Sequence, residues 1–374
     1  MIIKGKPQFV CGLPYQLSIE EGLLDEDQVI EEMSESGFSQ VKFDMEYSAL
    51  WYGNNDGAFF DFNSISKNRK IKYPMLPSSI AGILGNDKAF RIPPKQPGEI
   101  RLLSADIALM STTRHGNDAT AIFINQLMPT KAGRLVSNIV YTESFEGVHT
   151  ADQALIIRKM YDEYSCDYIV IDAQGAGAGC VDLLFRDIND PETGEIYPAL
   201  SCYNNSEMAA RCTVPDAEKV IYAIKASAQF NSDAAFRLRE AFRSGRIRLL
   251  APYDDADQLL DDIKGYRSLD ASEKEVIKKS YLYTDFLIVE LTNLLYEETG
   301  SKVKLKEKSG MRKDRYSSLS YNYYVATELE SKMERRGRNT MKDDSFVIRA
   351  PKYDRKAVNH SRGRSSNRGN PSWF

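Results

Sequence analysis

An α/β fold, with helices packed on a mixed sheet, is predicted by three features of the sequence. Beyond residue 95, short apolar runs of strand length give way to segments with helical spacing. The first three runs follow one another with only a short connection between the second and third, as in a meander. The fourth run comes after a helical segment, which is how a parallel strand is reached.

Residues 1–95 read as an accessory or linker region without a complete α/β unit. They hold a helical stretch over Asp25–Ser36, with acids in its first turn. Two aromatic-rich segments follow, Phe43–Gly53 and Ala58–Phe62, of the density that fills a small core or docks on a neighbour. Pro93, Pro94, Pro97 and Gly98 mark a stiff boundary. Strands are then expected over Ile100–Met110, Ala119–Leu127 and Leu135–Phe145, the last two joined by the breaker-rich Met128–Gly133. Ala151–Tyr164 has helical spacing, and Tyr168–Asp172 is a short apolar strand of the kind buried on both faces. The Gly-rich Gln174–Gly179 follows, then a helix over Cys180–Ile188. Three meandering strands, a crossover and a parallel fourth make up the ribonuclease H-like plan, not the strict βαβαβ of a doubly wound sheet. Further on come a helix over Asp233–Ser244, a strand Ile247–Leu250 and a helix Asp257–Tyr266. Leu282–Leu291 reads as strand-like, Lys302–Lys308 as a polar alternating stretch, and Asp314 to about Glu334 as a last helix. Residues 96–335 are thus the expected ribonuclease H-like domain, and residues 336–374 an expected disordered basic tail.

The formal net charge is only −4, but its distribution is uneven. From Arg335 onward the chain carries 11 Lys and Arg against 3 acids, so a basic end is joined to an acidic body. That pattern points to an anionic partner such as nucleic acid, or else to a merely solubilising end. Five cysteines without a C-x-x-C pair, and three scattered histidines, argue against a disulfide framework and against a zinc site. The apolar start is broken at once by Lys4, and no apolar run approaches membrane-spanning length. A cytoplasmic protein with no membrane partner is expected.

Three acids stand out. Asp106 lies inside an apolar strand, on the side of Ser104 and Ala108, where a bare carboxylate needs a cation or strong donors. Asp172 ends another apolar strand at a Gly-rich turn, and Asp314 opens the final helix. Taken singly, each has a plainer reading: a bridge within the core, a turn-binding side chain, an ordinary N-cap. Their order on the first strand, the fourth strand and a C-terminal helix singles them out, because the fourth strand pairs with the first in this plan. Hard oxygen ligands suit Mg²⁺ or Mn²⁺, and two such ions suit phosphodiester hydrolysis. Arg114, His115, Lys131, Lys313 and Arg315 are candidate DNA-phosphate contacts. Asp118 is a weaker candidate ligand, since Gly116-Asn-Asp reads first as a turn.

Three segments carry a resemblance: Leu103-Ser-Ala-Asp106-Ile-Ala with Gly116-Asn-Asp-Ala-Thr-Ala-Ile, Tyr168-Ile-Val-Ile-Asp172-Ala-Gln-Gly-Ala-Gly, and Arg312-Lys-Asp314-Arg-Tyr-Ser-Ser-Leu-Ser-Tyr. Together they resemble the nuclease domain of phage terminase large subunits, over roughly residues 96–335. The resemblance implies an endonuclease that cuts concatemeric double-stranded viral DNA during genome packaging, in the cytoplasm of a bacterial host. It also implies that Asp106, Asp172 and Asp314 hold the metals. A portal ring, a small terminase subunit and the ATPase part of the motor are its implied partners. Gly12-Leu-Pro-Tyr, Gly22-Leu-Leu and Phe43-Asp-Met-Glu-Tyr resemble the end of that family's ATPase domain. The chain departs from the pattern in having no G-x-x-x-x-G-K-[ST] phosphate loop, so ATPase activity is not expected of it alone. The competing readings are another ribonuclease H-like nuclease of the resolvase or integrase type, a non-catalytic packaging assembly factor, and a Rossmann-like nucleotide site on Gln174–Gly179. The last fits poorly, since the Gly run follows the fourth strand rather than the first.

Overall fold

The computed structural model describes residues 15–34, 47, 58–85, 90–108, 119–130, 133–299, 302–308 and 311–340. Eight strands form one mixed sheet: β1 (Arg69–Ile71), β2 (Ile100–Asp106), β3 (Thr120–Pro129), β4 (Leu135–Phe145), β5 (Tyr168–Asp172), β6 (Leu200–Cys202), β7 (Glu218–Ile224) and β8 (Ile247–Leu250). Their order across the sheet is β1-β8-β4-β3-β2-β5-β7-β6. The pairs β2–β3 and β3–β4 are antiparallel, and every other neighbouring pair is parallel. Within it, β4-β3-β2-β5-β7 is the ribonuclease H-like arrangement; β8 with β1 extends one edge and β6 the other.

Helices cover both faces, as parallel pairing requires. On one face lie α1 (Thr150–Glu163) and α2 (Ala176–Leu184). Ala154, Ile157, Met160, Cys180, Val181 and Leu184 pack there on Leu103, Ala105, Ile169 and Ile171. Three more helices are α3 (Ala228–Ser244), α4 (Tyr253–Leu260) and α5 (Ala271–Asn293). The other face carries α3, the C-terminal half of α5 and α6 (Asp314–Thr340). Leu238, Leu291, Leu319 and Tyr323 bury Phe123 and Ile139. Tyr321, Val325 and Leu329 bury Leu102 and Val170. The chain divides into two compact units at Glu330, so the last turns of α6 belong to the second.

Several expectations are corrected. Leu282–Leu291 is not a strand but the second half of the 23-residue α5. A capping box of Asp270 and Glu273 opens that helix, and its apolar run arises because it serves two cores. The polar stretch after it is a strand, β10 (Lys302–Lys306), in an antiparallel hairpin with β9 (Leu295–Thr299). No element was expected between Ile188 and Asp233, yet β6 and β7 lie there. Runs this short do not reveal their period. The helix after the Gly run starts four residues early, and α4 begins at Tyr253 directly after Pro252, a residue suited to a helix start. The boundary placed at residue 95 does not divide the described residues: β1 joins the main sheet, and Phe59, Phe60 and Ile65 enter its core.

Candidate metal centre

The register of two strands brings the first two acids together. In the parallel pair β2–β5, Leu102 faces Tyr168, Leu103 faces Ile169, Ser104 faces Val170 and Ala105 faces Ile171. The next step along both strands is Asp106 beside Asp172. In-register residues of parallel strands share a face, at an interstrand spacing of about 4.8 Å. Both carboxylates therefore project from the carboxyl end of the sheet on the face that α6 covers.

A buried polar ladder sets α6 on that face. Ser104 Oγ lies 3.0 Å from Ser318 Oγ, Asn322 Nδ2 donates to Ser104 Oγ at 3.1 Å, and Asn125 Nδ2 donates to Asn322 Oδ1 at 2.7 Å. Serine and asparagine inside an apolar strand and helix are costly unless paired, so the ladder admits one register of helix on sheet. One turn before Ser318 the same helix face carries Asp314. Its Oδ2 accepts the Ala119 N–H at 3.0 Å, which ties it to the start of β3, two residues before Ala121, the cross-strand partner of Asp106.

The electrostatics agree with this placement. Burial, followed by the charges of Asp314 and then Asp172, pushes the Asp106 carboxyl up to about 7, against a hydrogen bond from Ser317 that lowers it. Burial also raises Asp172, opposed by the Gln174 N–H, which donates to its Oδ1 at 3.1 Å. Tyr321 is raised as well, by burial and then by the charges of Asp106 and Asp172. An acid whose ionised form is disfavoured by the charges of two others, with hard oxygen donors only, has the chemistry of a Mg²⁺ or Mn²⁺ site. Among the described residues, no three His, Cys, Asp or Glu side chains are gathered closely enough to hold a metal ion. The donor chemistry and the backbone positions fit such an ion; the side-chain spacing is more open than ligation needs.

The glycines after Asp172 have a structural task. A Cβ on Gly177 would stand 1.7 Å from the Asp172 carbonyl oxygen, so α2 can start this close to β5 only with glycine there. Gly175 takes a φ of +54°, which a side chain rarely adopts. The run shapes the turn that presents Asp172, which removes the motive for a nucleotide site.

Glu290 is a further acid of this region that the sequence reading missed. It is buried on α5, where its Oε1 accepts Arg315 Nη1 at 2.7 Å and its Oε2 accepts the Tyr316 N–H at 3.0 Å. Burial raises its carboxyl, opposed first by Arg315. Its charge adds to the rise at Asp106. Arg315 is thereby corrected as a DNA contact: only 7% exposed, it pairs with Glu290 and donates to Ser144 Oγ at 3.2 Å. Lys313 is more open and bridges to Glu307 at 2.6 Å. Arg114, His115, Lys131 and Asp118 lie outside the described residues.

No protein-family model matches the chain, and no curated protein matches its sequence. Among solved structures, it is similar to the large terminase nuclease of the thermophilic phage G20c with bound magnesium. That match has 13% identity and a TM-score of 0.38, and covers 72% of this chain and 98% of that one. It is also similar to the nuclease domain of the large terminase subunit gp2 of bacterial virus Sf6, at 12% identity and a TM-score of 0.34, covering 73% of this chain and 97% of that one. A third is the bacteriophage HK97 large terminase, at 10% identity and a TM-score of 0.33, covering 67% of this chain and 43% of that one. Its structural neighbours are thus large terminases and their nuclease domains from several phages.

Proposed function

We propose that this chain is a divalent-metal-dependent DNA endonuclease of the terminase large-subunit type, built on Asp106, Asp172 and Asp314. One observation carries the reading: the β2–β5 register sets Asp106 beside Asp172 on the face where α6 delivers Asp314. Two Mg²⁺ or Mn²⁺ ions held there would supply the charge that activates an attacking water and stabilises the leaving oxygen of a phosphodiester. The chain's own contribution is positional. The Ser104–Ser318–Asn322 ladder fixes α6, the Ala119 N–H orients Asp314, and the Gln174 N–H orients Asp172. Ser317 holds Asp106 toward its ionised form. The substrate of this reading is concatemeric double-stranded viral DNA, cut during packaging beside a portal ring, a small terminase subunit and the ATPase part of the motor. No described helix is long and apolar enough to cross a membrane, and action in the host cytoplasm belongs to the same proposal.

The test is plasmid cleavage. Mn²⁺ or Mg²⁺ is expected to support nicking and linearisation, and a chelator to abolish both. Asp106→Asn, Asp172→Asn and Asp314→Asn are each expected to lower the rate by at least a hundredfold, on the scale of lost electrostatic catalysis. Equal cleavage by wild type and Asp106→Asn would overturn the assignment.

A further inference from the structure

A groove of about 410 Å³ opens at the far end of the sheet from the acids. We propose that it is a docking channel for single-stranded nucleic acid, a contact beyond the nuclease reading and independent of it.

The row of residues that builds the groove follows from register. Arg248 on β8 pairs with Asn138 on β4, and Asn138 pairs with Gln126 on β3. Paired residues share a face, so the three side chains form one row across adjacent strands. The same row continues to Arg101 on β2, whose neighbours Leu103 and Ala105 face α1. The groove thus lies on the opposite face from Asp106. Gln126 stands five residues along β3 from Ala121, the partner of Asp106, or about 17 Å at 3.3–3.4 Å per residue. Lys70 and Lys72, on and just past β1, bring two more cations to the rim.

The lining has the chemistry of a strand-binding surface. Lys70, Lys72 and Arg248 are exposed, line the groove and make no ion pair among the described residues. No acid lines it. Glu99, next to the row, is buried against Arg101 and accepts Gln126 Nε2 at 3.0 Å, so its charge is already balanced. Among its lining residues Tyr73 and Met75 expose part of their apolar surface. Lys70 and Lys72, two residues apart at about 6.6 Å, with Arg248 on the neighbouring strand, span the scale of one to two nucleotide steps of a single strand. Such a strand can lay phosphates on the cations and a sugar or base against Tyr73 and Met75. A duplex presents its phosphates on a convex surface and reaches a concave floor only at points.

An acidic peptide is the other polyanion to weigh, and its natural route would be strand addition beside β1. Helix α5 is tied to β1 and to the residue after it. Tyr281 of α5 donates its hydroxyl to the Lys72 carbonyl, and Asp285 of α5 pairs with Arg69. Arg69 in turn donates to the Leu250 and Ala251 carbonyls at 3.0 and 2.8 Å.

Fluorescence anisotropy of a labelled oligothymidylate, with the full chain in chelator, tests the proposal without any cleavage. The variant carries Lys70→Gln, Lys72→Gln and Arg248→Gln. A charge-matched control carries Lys219→Gln, Lys225→Gln and Lys264→Gln, all exposed and outside the groove. The expected result is at least tenfold weaker binding at low salt for the groove variant alone. Its slope of log affinity against log salt should flatten by about 2, for three phosphates at roughly 0.7 each. Arg248→Gln by itself should show about a third of that change, which keeps the test intact if the triple variant misfolds. An unchanged slope overturns the proposal, and so does an equal loss in the control. Displacement of the oligonucleotide by free thymidine monophosphate at equal nucleotide concentration overturns it in favour of a nucleotide pocket. Displacement by polyglutamate at equal charge overturns it in favour of a protein partner. Because no metal is present, failure here is separate from failure of Asp106→Asn to stop cleavage.

Discussion

Asp106 is where residue-level chemistry is most exposed to test. Its carboxyl is raised to about 7, so in the absence of metal the folded protein holds a proton that the unfolded chain releases near pH 4. Between those values the native state binds more protons, and the stability this contributes is present below pH 4 and lost as pH rises through 7. Asp106→Asn removes the effect. In chelator, the variant is expected to melt a few degrees above wild type at pH 8, on the order of 1–2 kcal/mol, with the gap closing toward pH 4. A constant gap across that range would contradict the cause given. Glu290 predicts the opposite outcome. Glu290→Ala leaves Arg315 buried without its carboxylate, and a loss of about 3–5 kcal/mol is expected in urea unfolding. Asp106 was legible in the sequence because an acid inside an apolar run is conspicuous. Glu290 was not, because the stretch around it reads as a strand and its partner is a residue brought near only by the fold.

Elements supply the geometry those residues need. Gly177 lets α2 begin against the Asp172 carbonyl, so Gly177→Ala must move the helix or the strand end. It is expected to destabilise the protein by about 1–3 kcal/mol. It should also cut cleavage at least tenfold, through displacement of Asp172, with its Tm still above the assay temperature. Wild-type cleavage by this variant would show that the Asp172 backbone position is not critical. The meander β2–β3–β4 and the parallel β5 were readable in the sequence because each run is long enough, or apolar enough, to show its type; Leu135–Phe145 and Tyr168–Asp172 agree to the residue. Helix α5 was not, because a helix shared by two cores loses its single apolar stripe. Strand β7 was missed for its short, continuously apolar centre.

Across the whole molecule, acids and groove lie at opposite ends and on opposite faces of one sheet, so the proposed cutting and the proposed strand docking are separable by mutation. Deleting residues 337–374, which carry most of the basic surplus, is expected to weaken duplex binding and flatten its salt dependence. An unchanged salt slope would exclude that segment from DNA binding. By itself the sequence determined the α/β class and the meander-then-crossover order, and it singled out three aspartates as candidates, because strand period, turn residues and misplaced charge are local properties. The tertiary structure alone decided that Asp106 and Asp172 are in register and that Arg315 turns inward to Glu290. It also decided that residues from 58 onward join the main body and that Lys70, Lys72 and Arg248 share one groove. Those facts depend on pairings between distant segments, and pairing is set by the total burial and hydrogen bonding of the folded chain rather than by any one stretch of it.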